Sequence, residues 1–132
     1  MKKAKFRYVE MQTMGEEDIV LAEFPYGLHM DLAVAKDLVA SRLMFTENQP
    51  HYFIVDMSNI VQMDSDAREY MRHPDGGLKN IRAGAFLASN PIAAMFANFY
   101  IKTAKDFPTR FFYSKEGALN WIRAYRATQL EK

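Results

Sequence analysis

The side chains that could do chemistry gather between Asp56 and Asp66. Asp56 and Ser58 end an apolar run, and Asp64, Ser65 and Asp66 follow close behind. Two carboxylates brought together, as Asp56 and Asp64 would be, could share general acid–base work. A histidine could join them, but His29, His51 and His73 are far apart in the chain, and none stands at metal-ligand spacing from another. Each is expected at the surface or in a turn. There is no cysteine, which excludes disulfides, thiolate metal sites and a cysteine nucleophile. There is no glycine-rich phosphate loop: Gly76-Gly77 reads as a loop hinge, and Gly84 lies in a strand pattern. Converging groups are scarce, so the expectation is a chain with no catalytic residue, no cofactor and no metal. Helix capping accounts for Asp64 and Asp66 without any catalysis.

The elements that must position these residues are readable nearby. Tyr52-Phe53-Ile54-Val55 is short, apolar on both faces and rich in aromatic and β-branched residues, the pattern of a central strand covered by helices on both sides. Asp56 and Ser58 then stand at its carboxyl end, the edge where open α/β sheets bind ligands and partners. Ile60, Val61 and Met63 return to the core. Asp64, Ser65 and Asp66 offer consecutive N-caps, and Asp66 with Glu69 has the spacing of a capping box. Their acidic side chains suit the positive end of a helix dipole. That helix carries Ala67, Tyr70 and Met71, and stops at His73-Pro74-Asp75-Gly76-Gly77.

The remaining elements alternate. Phe6, Tyr8 and Val9 suggest a first strand, Met14 to Asp18 an acidic turn, and Ile19 to Phe24 a second strand, together a hairpin. Asp31 caps a helix running to about Phe45, with Leu32, Ala35, Leu38, Val39 and Leu43 on its apolar face and Lys36, Asp37 and Arg42 left for solvent. Leu78 to Arg82 suggests a short helical piece, and Ala83 to Ala88 a buried strand. Asn90-Pro91 opens a helix that runs from Ile92 to about Ala104. Arg110 to Tyr113 is a last strand, and Ser114 caps a final helix holding Leu119, Trp121 and Ile122. The order β-β-α-β-α-β-α-β-α calls for an α/β sandwich with a mostly parallel central sheet, an N-terminal hairpin and about four helices.

A strand ending in Asp56-Met57-Ser58, a short link, and Met63-Asp64-Ser65-Asp66 entering a helix resembles the STAS domain, typified by the SpoIIAA-like anti-sigma-factor antagonists. The likeness covers roughly residues 19–125. It is nearest to small bacterial STAS-like domains, which are also similar to the lipid-binding Sec14 fold. The resemblance implies a non-catalytic regulatory module. It also implies that the family's switch, a phosphorylated serine or threonine at the third position of the motif, falls on Asp66, with Ala67 in place of the glycine. An aspartate there is either a permanent charge or a plain helix cap, and Ser65 is one residue off register.

Composition sets the outer limits. A chain of 132 residues, 49% hydrophobic, suffices for one domain with its own core. A formal charge of +1 leaves no electrostatic footprint for nucleic acid. The start, MKKAKFRYVEM, lacks the apolar stretch of a signal peptide, and no stretch reaches the length of a membrane span, so a cytoplasmic location is expected. The helix after Asn90 carries Met95, Phe96, Phe99, Tyr100 and Ile101, more than one buried face can hold. Met95, Tyr100 and Phe99 are the expected surplus, forming an exposed apolar patch that suits association. Lys102, Lys105 and Arg110 form a modest basic cluster, expected as a solvated face. The leading expectation is a protein-interaction module, a homodimer or a regulatory partner of another protein. Its surface would comprise the Asp56–Asp66 edge and the adjoining helix. The alternative is a binder of a small hydrophobic molecule or lipid in a pocket of Phe86, Met95, Phe96, Phe99 and Trp121.

Overall fold

The computed structural model describes residues 2–103 and 106–131. Six strands form one sheet whose spatial order follows their order in the chain. β1 (Lys3–Lys5), β2 (Glu10–Met14) and β3 (Glu16–Glu23) form an antiparallel meander, each strand antiparallel to the next. β5 (His51–Asp56), β7 (Ile81–Leu87) and β8 (Thr109–Phe112) then continue from β3 in parallel. Two short strands, β4 (Leu28–Met30) and β6 (Ile60–Met63), pair with each other in a separate two-stranded sheet. The helices are α1 (Leu32–Phe45), α2 (Ser65–Met71), α3 (Pro91–Thr103) and α4 (Lys115–Leu130). This is the α/β architecture, mostly parallel with an N-terminal hairpin, that the alternation predicts.

Strand periodicity divides the core in two. Val20, Ala22, Val55 and Phe86 face one way and pack with residues of α1, α2 and α3, among them Leu38, Ala67 and Phe96. Ile19, Leu21, Tyr52, Ile54, Ala83 and Ala85 face the other way, onto Ala118 and Ile122 of α4. The cause is topological. Parallel crossovers are right-handed, and here every one steps in the same direction along the sheet, so α1, α2 and α3 must share a face. Only α4, returning after the last strand, reaches the opposite one. Three helix starts are built as their side chains predict. The carboxylate of Asp31 accepts from the Val34 N–H at 2.8 Å, the Asn90 side-chain oxygen from Ala93 at 2.9 Å, and the Ser114 hydroxyl from Gly117 at 3.1 Å.

Several expectations are corrected. Phe6 to Val9 is not a strand but the link from β1 to β2, closed by a hydrogen bond from the Phe6 N–H to the Val9 carbonyl. β3 instead pairs with Glu10–Met14, where Met11 and Thr13 alternate inward between polar neighbours. The acidic turn shrinks to Gly15, at φ 90°. Glu16 and Asp18 belong to β3 and pair with Arg123 and Arg126 of α4. Leu78 to Arg82 is not helical. Asn80 at φ 66° interrupts it, and Ile81 and Arg82 begin β7. Val61 does not return to the core: it is half exposed, because β6 buries only Ile60 and Met63.

α3 resolves its own surplus differently from the expectation. Phe96 and Tyr100 are buried, Phe99 is half-buried, and Ile92 and Met95 are the exposed side chains. Tyr100 therefore does not belong to an exposed patch. Trp121 lies across the sheet from Phe86 and Phe96, packed with Phe112 and Tyr125, so it cannot share a pocket with them. Lys105 of the expected basic cluster, and Ala104, the expected end of this helix, lie outside the described residues.

Candidate functional site

At the carboxyl end of β5, the polar side chains are spent on the backbone. The Asp56 carboxylate accepts from the Ser58 N–H at 3.0 Å. The Ser58 hydroxyl accepts from the Ser89 N–H at 3.1 Å, and its carbonyl accepts from the Asn90 side-chain amide at 2.8 Å. Asn59 donates to the Phe24 carbonyl at 2.9 Å, while its own carbonyl receives the N–H groups of Gly27 and Leu28. Ser58 and Asn59 thus tie together the loops after β3, β5 and β7, with Asp56 bracing the turn between them. The strand order also never reverses within the parallel part, so this edge lacks the switch-point crevice that makes it a ligand site in doubly wound sheets.

Asp64 occupies the N-cap position of α2, yet its side chain does not cap. It turns to β4 and meets the Nε2 of His29 at 2.8 Å, with Gln62 donating to the same oxygen at 3.4 Å. Asp56 and Asp64 share no hydrogen bond, and His29 pairs only with Asp64, among the described residues. The carboxylate pair considered for acid–base chemistry is therefore not assembled. Ser65 and Asp66 are exposed. Asp66 accepts from the Ala67 N–H at 2.8 Å, while Glu69 pairs with Arg72 instead of closing a capping box.

Helical geometry then separates the two sides of α2. At 3.6 residues per turn, Arg68 and Arg72 share a flank, and Asp66 lies about 200° round from Arg68. The guanidinium groups of Arg68 and Arg72 both sit over the Phe99 ring of α3, at 5.7 and 5.8 Å from its centre. On the α1 side, Lys36 covers Tyr70 at 5.9 Å. The motif's acidic start and the α3 surface thus lie on different sides of one short helix. Beneath them Tyr100 stacks on Phe86 at 5.7 Å, and its hydroxyl lies 3.5 Å from the Met63 sulfur. Burial pushes that phenol's pKa well up, so it is neutral.

The outward face of α3 departs from the usual composition. Ile92 and Met95, 53% and 59% exposed, share it with Pro91, Asn98 and Lys102, and Lys102 is the one charged residue in the sequence of α3. A surface helix ordinarily presents several charged side chains there. Val61, on the strand that packs against α3, is exposed as well. The spacing of Ile92, Met95 and Phe99 (i, i+3, i+7), with Arg68 and Arg72 at i, i+4, is the sequence signal for this surface, and it escapes a reading centred on Asp64–Asp66.

Among the described residues the apolar cavity is narrow, about 50 Å³, and is lined by Phe53, Phe86, Tyr100 and Arg42 among others. Wider open clefts of about 590 and 370 Å³ lie beside Lys2, Glu47 and Gln49 and beside Lys5, Glu10 and Pro25. Phe86 alone of the expected pocket residues reaches the apolar cavity. A cavity of roughly 150 Å³ is needed to admit benzene, so nothing of lipid size fits there. Its Arg42 is a second correction: this side chain is buried, not solvated. It donates to the carbonyls of Lys79 (2.6 Å), Gly76 (3.3 Å) and Gly77 (3.2 Å) and to the Nε2 of His51 (3.1 Å). Burial lowers its pKa to about 10, which leaves it charged at neutral pH. His51 is likewise buried, contrary to expectation. Its Nδ1 donates to the Gln49 carbonyl at 2.9 Å and its Nε2 accepts from Arg42, the arrangement of a neutral ring. Burial first, and then the Arg42 charge, bring its pKa down to about 4. The described residues contain no cluster of three metal-ligating side chains, and no helix among them is long and apolar enough to cross a membrane.

Sheet order, helix placement and the β5–α2 segment together define a SpoIIAA-like α/β domain, in agreement with the STAS resemblance. A solved structure supports that assignment: an uncharacterised protein of the DUF3478 family with a SpoIIAA-like fold, from Shewanella loihica PV-4. It superimposes with a TM-score of 0.54 at 14% identity, over 92% of this chain and 99% of the other. The chain belongs to the family described as domain of unknown function DUF7793, whose model matches residues 13–126. Comparison with curated proteins gives no match.

Proposed function

We propose that this chain is a non-catalytic, cytoplasmic interaction module of STAS type that recognises a protein partner through α3 and the adjoining α2. The observation that carries the reading is the apolar outward face of α3, where Ile92 and Met95 stand in water on a helix otherwise well packed. Exposed apolar patches of this kind mark interfaces, and methionine suits surfaces that must adapt. The spent polar groups around Asp56 and the 50 Å³ cavity favour a surface over a pocket as the working part. Asp66, where the STAS resemblance puts the phospho-acceptor, would supply a permanent negative charge on the α1 side of α2. In this reading it holds the module in one state where its relatives in fold switch.

The test is native mass spectrometry of tagged protein isolated from its own host. Wild type is expected as a complex with a second polypeptide, and Met95→Asp is expected to lose it while keeping the wild-type circular dichroism and melting temperature, whereas Asp66→Arg, on the other side of α2, is expected to keep it. If Met95→Asp retains the complex, or Asp66→Arg alone loses it, the surface is misplaced. A bare monomer from wild type removes the reading altogether.

A further inference from the structure

Resting on that reading, we infer that the α3 face takes an acidic amphipathic helix, its apolar residues on Ile92 and Met95 and its carboxylates toward Arg68 and Lys102. The face is apolar at its centre. Its charged rim is mainly basic, although Glu69 on α2 and the exposed Asp106 just after α3 are acidic. Lys102 stands in the last turn of α3, α3 has no acidic side chain, and Arg68 and Arg72 line the α2 flank. Arg72 is partly neutralised by Glu69, but Arg68 and Lys102 make no salt bridge among the described residues.

The two acidic residues just before Arg68 are turned elsewhere. Asp64 is held by His29, and Asp66 lies round the helix from Arg68. The N-terminal end of α3 adds the positive end of its dipole. The charge pattern discriminates among occupants. A second copy docked by this same face would set its cations against like cations, which is repulsive. An acidic helix with anchors at i, i+3 or i+4 satisfies both the apolar centre and the basic rim, the helix-in-groove mode of recognition.

The experiment uses the full chain and a display library of random helical peptides of about 20 residues, a length that spans α3. Selection is on wild type, with counter-selection on Met95→Asp. The enriched peptides are expected to carry an excess of Asp and Glu beside paired apolar anchors. They are expected to bind an Arg68→Glu/Lys102→Glu variant at least tenfold more weakly than wild type. Peptides that require Met95 but ignore the charge reversal would overturn the acidic partner and leave the interaction module standing. Failure to enrich any Met95-dependent peptide would overturn both. A dimer that Met95→Asp dissolves would replace the acidic helix with a second copy. Sedimentation with phosphatidylserine vesicles that depends on the same residues would replace it with a membrane surface.

Discussion

Protonating His51 would place a second positive charge against Arg42 and destroy the hydrogen bond between them. The unfolded chain accepts that proton near the ordinary pKa of 6.5, whereas the folded ring resists it down to about 4. The folded state therefore binds fewer protons between these values. The contribution of His51 is complete above pH 6.5 and is lost as the pH falls toward 4, a depression worth roughly 3 kcal/mol. Urea unfolding measured across this window should show stability falling with pH, and His51→Gln should flatten the slope. Asp18, the acidic group whose charge opposes the shift, is retained in that variant. Arg42→Met tests the other half of the clasp. It leaves the carbonyls of Gly77 and Lys79 without their side-chain donor and Gly76 with the Lys79 N–H, and a loss of about 3–5 kcal/mol is expected in the same measurement.

Helix starts separate what is readable locally from what is not. Asp31, Asn90 and Ser114 cap helices within three residues of themselves, so their types alone announce the role. Asp64 has the same type and position, but His29, far earlier in the chain, claims its carboxylate. Asp31→Ala should accordingly cost about 1 kcal/mol. Asp64→Ala should cost less than half of that, since an exposed pair contributes little. Thermal melts of the two variants side by side decide it. Distance in sequence explains the other misses too. Arg42 reads as a solvent residue because the carbonyls that receive it come from the loop after α2, and β4 and β6 are too short to be seen except as each other's partners. β5 was legible because its burial on both faces is written in a single run of residues. The α3 surface was legible as excess, not as orientation: the count of bulky side chains was plain, but only packing shows that Tyr100 goes in and Ile92 stays out.

Across the whole molecule, cover is uneven. β5 and β7 lie between helical layers on both faces and have paired neighbours on either side, while β1 and β8 each present a free edge among the described residues. Backbone amide exchange should be slowest in β5 and β7, approaching the global unfolding rate, and fastest in β1. Equal protection across the sheet would contradict the layered packing described above. The surface prediction belongs at this scale as well: Met95→Asp changes an exposed side chain, so the melting temperature should stay within about 2 °C of wild type while partner binding is lost.

The spatial order of the six strands has one more consequence, which concerns synthesis. Because each new strand of the sheet lies at the outer edge of the one made before it, the sheet grows in the direction in which the ribosome delivers the chain. The N-terminal hairpin and β3 come first, and β5, β7 and β8 are added in turn, each with the helix that will cover it already made or next to emerge. No late segment has to wedge between two earlier ones. Only α4 must wait for the end, and until it arrives the face of Ile54 and Ala85 stays bare. The vulnerable interval for this domain during synthesis is thus the one between β8 and α4, when its strands are in place and one side of the sheet is still uncovered.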